Sequence, residues 1–280
     1  ENKKIFIIEK GDSVGKTIKK LKENNIIKTE FRFKILAYLY EIKPKFISGK
    51  YRIFTNETEQ SLLLKFIDGN LYQESITIIE GSTNSEIFLL LSNNQHINNL
   101  KSALSDVTPY NSPIKFLTNE GRCFPDTYKF SSGTSLEKLM INCSKKMDDI
   151  VLNYWNNRDY SLPYSSPYEM LIMASIIEKE SSLISEKPLI ASVFINRLRK
   201  KMRLQADPTV IYGMKDFKGN ITKKDLQENN EYNTYRIYGL PKTPICSPSE
   251  SSIRAASKPA ESNFLFFVAN DKGKHIFSTN

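Results

Sequence analysis

The sequence predicts an α+β protein. Two observations carry that expectation: a strand–turn–helix unit that recurs through the first half of the chain, and a change near residue 166 to apolar helices, polar loops and a closing hairpin. The first unit, "IFIIEKGDSVGKTIKKLKENNII", reads as an alternating strand and a Gly-Asp-Ser turn. A helix follows, with Val14, Ile18 and Leu21 on one face. "YRIFTNETEQSLLLKFIDGN" is another copy, with Thr55 or Asn56 as the helix cap and Gly69 as the stop. "ITIIEGSTNSEIFLLLSNNQHI" repeats the unit through Gly81-Ser82-Thr83 and a helix carrying Ile87, Leu90 and Leu91. "TYKFSSGTSLEKLMINCSKKM" resembles a fourth copy. The break at Gly69-Asn70 suggests a boundary near residue 72, giving a small subdomain over 1–72 and a larger α+β domain over 73–280. Internal duplication and coincidence both remain open readings of the repeat.

Beyond residue 166, Pro167 opens a helix expected to run to about 184, capped by Ser165 or Ser166. Pro188 opens the next, "PLIASVFINRLRKKM", with Ile190, Val193, Phe194 and Leu198 on its apolar face and Asn196 or Arg197 turned inward. The stretch "NNEYNTYRIYGLPKTPICSP" is too rich in Pro and Gly for a helix, and long loops in compact domains are often functional. Residues 249–256 read as a short helix, and "FLFFVANDKGKHIFSTN" as a hairpin with Gly in its turn.

Composition narrows the function classes. The apolar and charged fractions, 40% and 25%, are those of a globular chain. No apolar run is long enough to span a membrane. The start "ENKKIFIIEKGDS" is neither a signal peptide nor an initiator Met, so a processed or trimmed chain with any anchor outside this sequence is expected. The net charge of +9 suits nucleic acid, anionic lipid or an acidic polymer without choosing among them. Cys123, Cys143 and Cys246 lack zinc-ligand spacing, and the two histidines, His96 and His275, lie near no nucleophile motif. There is no Gly-rich nucleotide loop. The chemistry is left to carboxylates, amides and hydroxyls.

One carboxylate is out of place. In "LIMASIIEKESSLI", Met173, Ile176, Ile177 and Ile184 form a stripe with Glu180 near its middle, while Glu178 and Lys179 project to the flanks. A carboxylate so placed either pairs with a cation or raises its pKa, and a protonated carboxylic acid can serve as a general acid. The helix pattern leaves both roles open. Downstream, Gln205, Asp207, Tyr212, Tyr232, Asn233, Thr234, Tyr235 and Tyr238 supply aromatic faces and two-way hydrogen-bonding groups, the side chains that suit sugars.

In order along the chain, "EGRCFPDTYKF", "ASIIEKES", "VFINRL", "MRLQADPTVIYG", "YNTY" and "GLPKTPI" resemble the motifs of the endolytic murein transglycosylase (YceG-like) family. The resemblance runs from about residue 5 to 280, and it makes the N-terminal subdomain LysM-like and the rest a catalytic domain. It implies a bacterial lytic transglycosylase anchored in the inner membrane by an N-terminal helix, with its enzyme domain in the periplasm. Such an enzyme cuts the MurNAc-β-1,4-GlcNAc bond within nascent peptidoglycan strands. It leaves 1,6-anhydro-MurNAc ends and terminates elongation beside the peptidoglycan synthases, with no cofactor, metal or nucleic acid. Glu180, before Ser181, becomes the catalytic acid and Glu178 a structural one. Gln205, Asp207, Tyr212, Asn233 and Tyr235 are expected to hold the sugars and Asn196 to orient Glu180. Asp126 and Tyr128 belong to a family motif without a settled role. Two departures from the family pattern are noted: Arg122-Cys123 stand where it usually has an aromatic or aliphatic residue, and family chains usually run on past "HIFSTN" into a short helical tail, so either a trimmed chain or a lost groove edge is expected. A glycan-binding scaffold without activity, or a hydrolase using Asp207 or Glu178 to activate water, are the rival readings.

Overall fold

The structure, a computed structural model, describes residues 3–40, 46–98, 111–270 and 274–280. The chain forms two compact units. The first comprises residues 1–75 with 95–98 and 129–134; the second comprises 76–94, 99–128 and 135–280. The two later segments of the first unit, 95–98 and 129–134, have no signal in the sequence.

In the first unit, β1 (Lys3–Ile8) pairs antiparallel with β2 (Gly49–Phe54), from Lys3 opposite Phe54 to Ile8 opposite Gly49. Alternation turns Phe6, Ile8, Tyr51 and Ile53 inward. They meet α1 (Val14–Glu23), α2 (Glu30–Leu39) and α3 (Glu59–Asp68) through Ile18, Leu21, Phe33, Leu62, Leu63 and Phe66. Phe66 is the hub: the rings of Phe6, Phe46 and Tyr51 lie 6.0, 5.5 and 4.8 Å from it. Ser13, Thr29 and Thr58 cap the three helices through their side-chain oxygens. The cap of α3 is Thr58, not Thr55 or Asn56, because Glu57 first closes a turn on Phe54. Gly69 ends α3 at φ +67°, as its position suggested; a Cβ there would meet Ile47 at 2.5 Å.

Next come β3 (Gln73–Thr77), α4 (Asn84–Ser92), β4 (Ile97–Asn98), β5 (Thr127–Ser131) and β6 (Thr134–Ser135). β3 pairs with β5 and β4 with β6. Thr83 and Glu86 form a reciprocal capping box at α4, which buries Ile87 and Leu91 but leaves Leu90 exposed. The second unit is built from α5 (Leu136–Asn156), α6 (Pro167–Glu180), α7 (Lys187–Arg199), α8 (Asp207–Gly213), α9 (Lys223–Gln227) and α10 (Glu250–Ser257). It ends in the antiparallel hairpin of β7 (Phe266–Ala269) and β8 (His275–Ser278); the expected turn glycine, Gly273, is outside the described residues.

Helix α6 is the centre of this unit. Every residue from Met170 to Ile177 is buried, against α5, α7 and α10, so the helix is apolar all round rather than along one stripe. Ser166 caps it. It stops at Glu180, four residues earlier than expected, because Ser181 turns to extended backbone and its hydroxyl accepts from Leu183 N–H. Ile184 is therefore outside the helix and exposed. No helix among the described residues is long and apolar enough to cross a membrane.

Cys123 and Cys143 form a disulfide with their Cα atoms 4.7 Å apart, tying the 120s loop to α5; Cys246 is free and buried. Their spacing of 20 residues carries no motif, which is why the sequence is silent about them. Closing a loop of that length restricts the unfolded chain, so Cys143→Ser should lower unfolding free energy by about 3 kcal/mol in urea titrations. An unchanged midpoint would show that the bridge stabilises nothing.

Candidate active site

The last turn of α6 carries two carboxylates with different surroundings. Glu178 is the more tightly held. Its Oε2 accepts from Lys187 Nζ at 3.0 Å, Ser249 N–H at 2.9 Å, Ser249 Oγ at 2.5 Å and Ser252 Oγ at 2.6 Å. Lys187 Nζ also donates to Ser249 and Ser251 hydroxyls. The Glu178 and Lys187 side chains are only 7% and 2% exposed. Burial acts to raise the Glu178 pKa, but the serine donors and the Lys187 ammonium outweigh it, and the group sits below the ordinary carboxylate range. Glu178, which the helix pattern sends to a flank, joins α6 to the starts of α7 and α10 through these bonds.

Glu180 is two residues on, about 200° around the helix, and so faces away from that knot. It is half-buried. Burial is the main influence on its carboxyl, the Asp207 charge adds to it and Arg197 opposes it; together they push the pKa up to about 8. At neutral pH Glu180 is a protonated acid.

Three segments surround it. Arg197 on α7 is buried, donating from Nε to Leu265 O at 2.7 Å and from Nη1 to Leu204 O at 2.6 Å and Gln205 Oε1 at 3.5 Å. Burial works against its charge, and Tyr235 and Glu180 work for it. Gln205, exposed, has φ +50°, unusual for a residue with a Cβ; Arg197 and the bond from Gln205 N–H to Thr234 O hold this turn. Asp207, the exposed first residue of α8, accepts from Tyr235 Oη at 2.6 Å. Burial, then this bond, raise the Tyr235 pKa, so its hydroxyl remains a donor.

The structure gathers Glu180, Gln205, Asp207 and Tyr235 and assigns the other expected residues elsewhere. Asn196 Nδ2 donates to Ser262 O and Phe264 O, at 2.8 and 3.0 Å. Its neighbour Arg197, not Asn196, is the α7 group whose charge acts on Glu180. Asn233 is fully buried: Nδ2 donates to the carbonyls of Asp225, Leu226 and Glu228, and Oδ1 accepts from Tyr235 N–H. It shapes the loop that presents Tyr235, with nothing left exposed for a sugar. Tyr212 donates to buried Glu120 Oε2 at 2.9 Å and meets the Tyr232 ring edge-on at 4.9 Å. Asp126 pairs with Lys146, and Tyr128 donates to Phe124 O.

The sequence did not single out the Glu186–His275 pair. His275 N–H and Nδ1 contact the two Glu186 oxygens at 3.0 and 2.7 Å, and Ser181 Oγ donates to Glu186 at 3.4 Å. The turn that follows Glu180 is thus pinned to β8. A cavity of about 730 Å³ lies at the other end of α6, lined by Leu117, Pro167, Tyr168, Leu240 and Lys242. Lys115, Glu169 and Lys242 also line it, but the carboxyl held protonated is Glu180, beside Asp207 and Arg197.

Two stability measurements check these electrostatics. Lys187→Met should cost about 3–5 kcal/mol, and the double change Glu178→Gln/Lys187→Met distinctly less, because the single change leaves a buried charge uncompensated. A raised carboxyl pKa means that the folded state holds a proton the unfolded state has lost, so stability falls as pH rises from about 4.5 to about 8. Glu180→Gln should remove that loss, making the protein more stable than the parent by roughly 1–3 kcal/mol at pH 9 and little different at pH 4. Parallel pH profiles for the two proteins would contradict it.

The model of the YceG-like family matches residues 6–280. An endolytic murein transglycosylase of Bacillus subtilis (strain 168) is 32% identical over 295 residues, spanning 97% of this chain and 80% of that protein. A protein of the same name from Streptococcus pneumoniae (strain R6) is 32% identical over 168 residues, 58% of this chain and 30% of that protein. The crystal structure of a YceG-like protein from Listeria monocytogenes matches with a TM-score of 0.63 and 28% identity, covering 99% of this chain and 96% of that one. By family model, by identity across its length and by fold, the chain belongs to the YceG-like family.

Proposed function

We propose that this protein is an endolytic peptidoglycan lytic transglycosylase with Glu180 as its acid. The observation that carries the reading is a half-buried carboxyl kept protonated at neutral pH, on a helix end that is itself fixed by buried bonds. Its relatives named endolytic murein transglycosylases supply the substrate class, the glycan strands of peptidoglycan.

Glu180 gives its proton to the oxygen of the MurNAc-β-1,4-GlcNAc bond as that bond breaks. The carboxylate so formed is steadied by Arg197 and then takes the proton of the MurNAc 6-hydroxyl, whose oxygen closes on C1 to leave a 1,6-anhydro end. Ordinary glycosidases use two carboxylates, one of them for water or a covalent intermediate. Here the substrate supplies the nucleophile and one carboxyl serves as acid and then base. Asp207, Tyr235 and Gln205 present exposed or half-buried polar groups beside Glu180 and are the proposed sugar contacts. Asn196, expected to orient Glu180, and Tyr212 and Asn233, expected to hold sugars, act in this reading by shaping the walls of the site.

The site of action is the cell wall outside the cytoplasm, at the periplasmic face of the inner membrane. The Cys123–Cys143 disulfide favours such an oxidising compartment. In this reading the cut ends strand elongation beside the peptidoglycan synthases, and residues 1–72 form a LysM-like subdomain.

The test is to incubate the parent and Glu180→Gln proteins with uncrosslinked glycan strands and identify product ends by mass spectrometry. Anhydro-MurNAc ends from the parent, at least about 10³-fold fewer from Glu180→Gln, and parent activity that declines as pH passes 8 are expected. Reducing ends, lost in Asp207→Asn, would replace this reading with a hydrolase. Binding without cleavage would leave a scaffold.

A further inference from the structure

Helix α2 has two apolar faces. At about 100° per residue, Phe33 and Ala37 lie on one side of the helix, 0% and 4% exposed, in the core of the first unit. Phe31, Ile35, Tyr38 and Leu39 fall within an arc of about 100° on the opposite side and are 72%, 43%, 83% and 69% exposed. Single exposed apolar residues are ordinary, but four on one helix stripe are not. The stripe also has charged edges. Lys34 is next to Tyr38 on one border and Arg32 next to Leu39 on the other, and both are exposed. Lys34 keeps an exposed partner, Glu30, at 3.0 Å.

We propose that this face of α2 docks on an anionic phospholipid surface, lying in the plane of the interface with Phe31, Ile35, Tyr38 and Leu39 among the upper acyl chains. Three observations favour lipid over protein. The exposed stripe offers roughly 500 Å², less than the ~800 Å² per partner of a stable protein interface. A second copy laid stripe to stripe would set Arg32 and Lys34 against their own counterparts, like charge on like. The stripe is convex, so a protein would need a matching groove, whereas a bilayer deforms around a helix. The cations on its borders stand where lipid phosphates lie, Phe31 and Leu39 suit the buried face of an interfacial helix, and the Tyr38 ring can enter with its hydroxyl turned toward the headgroups. A chain of net charge +9 is drawn to such a surface from a distance.

Co-sedimentation of the full chain with phosphatidylglycerol–phosphatidylcholine vesicles, and with pure phosphatidylcholine vesicles, tests this. Tyr38→Ser/Leu39→Gln should lower partitioning onto the anionic vesicles at least about tenfold. Arg32→Gln/Lys34→Gln should lower it on anionic vesicles but not on neutral ones, and added salt should mimic that pair. Melting temperatures within about 2 °C of the parent establish that these exposed changes leave the fold intact. Three results overturn the proposal. One is no vesicle binding by the parent. Another is undiminished binding by Tyr38→Ser/Leu39→Gln, which would assign the attraction to net charge alone. The third is a concentration-dependent dimer in sedimentation velocity that the same variant abolishes, which would give the face to a second copy.

Discussion

The candidate site rests on a buried ion pair that does no chemistry. Glu178 and Lys187, with Ser249, Ser251 and Ser252 around them, fasten the last turn of α6 to the starts of α7 and α10. A charge so deeply placed tolerates little rotation, because any lost donor leaves it unsatisfied in a poor dielectric. Fixing Glu178 inward fixes Glu180 outward, since two helical residues differ by about 200°. The helix ends one residue later at Ser181, whose neighbours Glu186 and His275 pin the following turn.

The chemistry then follows from a balance of charges. Burial and Asp207 keep a proton on Glu180, while the opposing charge of Arg197 limits how far its pKa rises. An acid that never released its proton would be useless, and one that released it in the free enzyme would be spent before substrate arrived. The elements that set this balance are also the ones that hold the strained Gln205 turn and the Tyr235 loop, through Arg197, Thr234 and Asn233. Residues whose chemistry suits sugar are, in several cases, the framework for the few left at least partly exposed beside Glu180.

What was legible in the sequence was local. Pro167 with Ser166, and Gly69 at its left-handed stop, mark helix ends by rules that need no tertiary contact. Glu180 stood out because a carboxylate among Met173, Ile176 and Ile177 is costly. The stripe reading was nonetheless too simple: α6 is buried on every side, Ile184 lies beyond its end, and the apparently ordinary Glu178 has the deeper bonds. Partners from distant segments were not legible. Cys123 finds Cys143 through the packing of α5, and His275 finds Glu186 from 89 residues away. Asn233 and Tyr235 look alike as polar loop residues, and only the folded chain shows that one is enclosed and the other faces the acid. The exposed stripe of α2 was equally hidden, because a helix apolar on two sides gives no periodic signal.

The chemistry of the site turns on the protonation state of one carboxyl group, and that can be measured directly. Carbon-13 NMR of protein labelled at glutamate side-chain carboxyls, with Glu180→Gln to assign the resonance, follows Glu180 through its titration. A single carboxyl that stays protonated past neutrality and titrates near pH 8 is expected. A Glu180 resonance that titrates between about pH 4 and 5, with the other exposed glutamates, would contradict it.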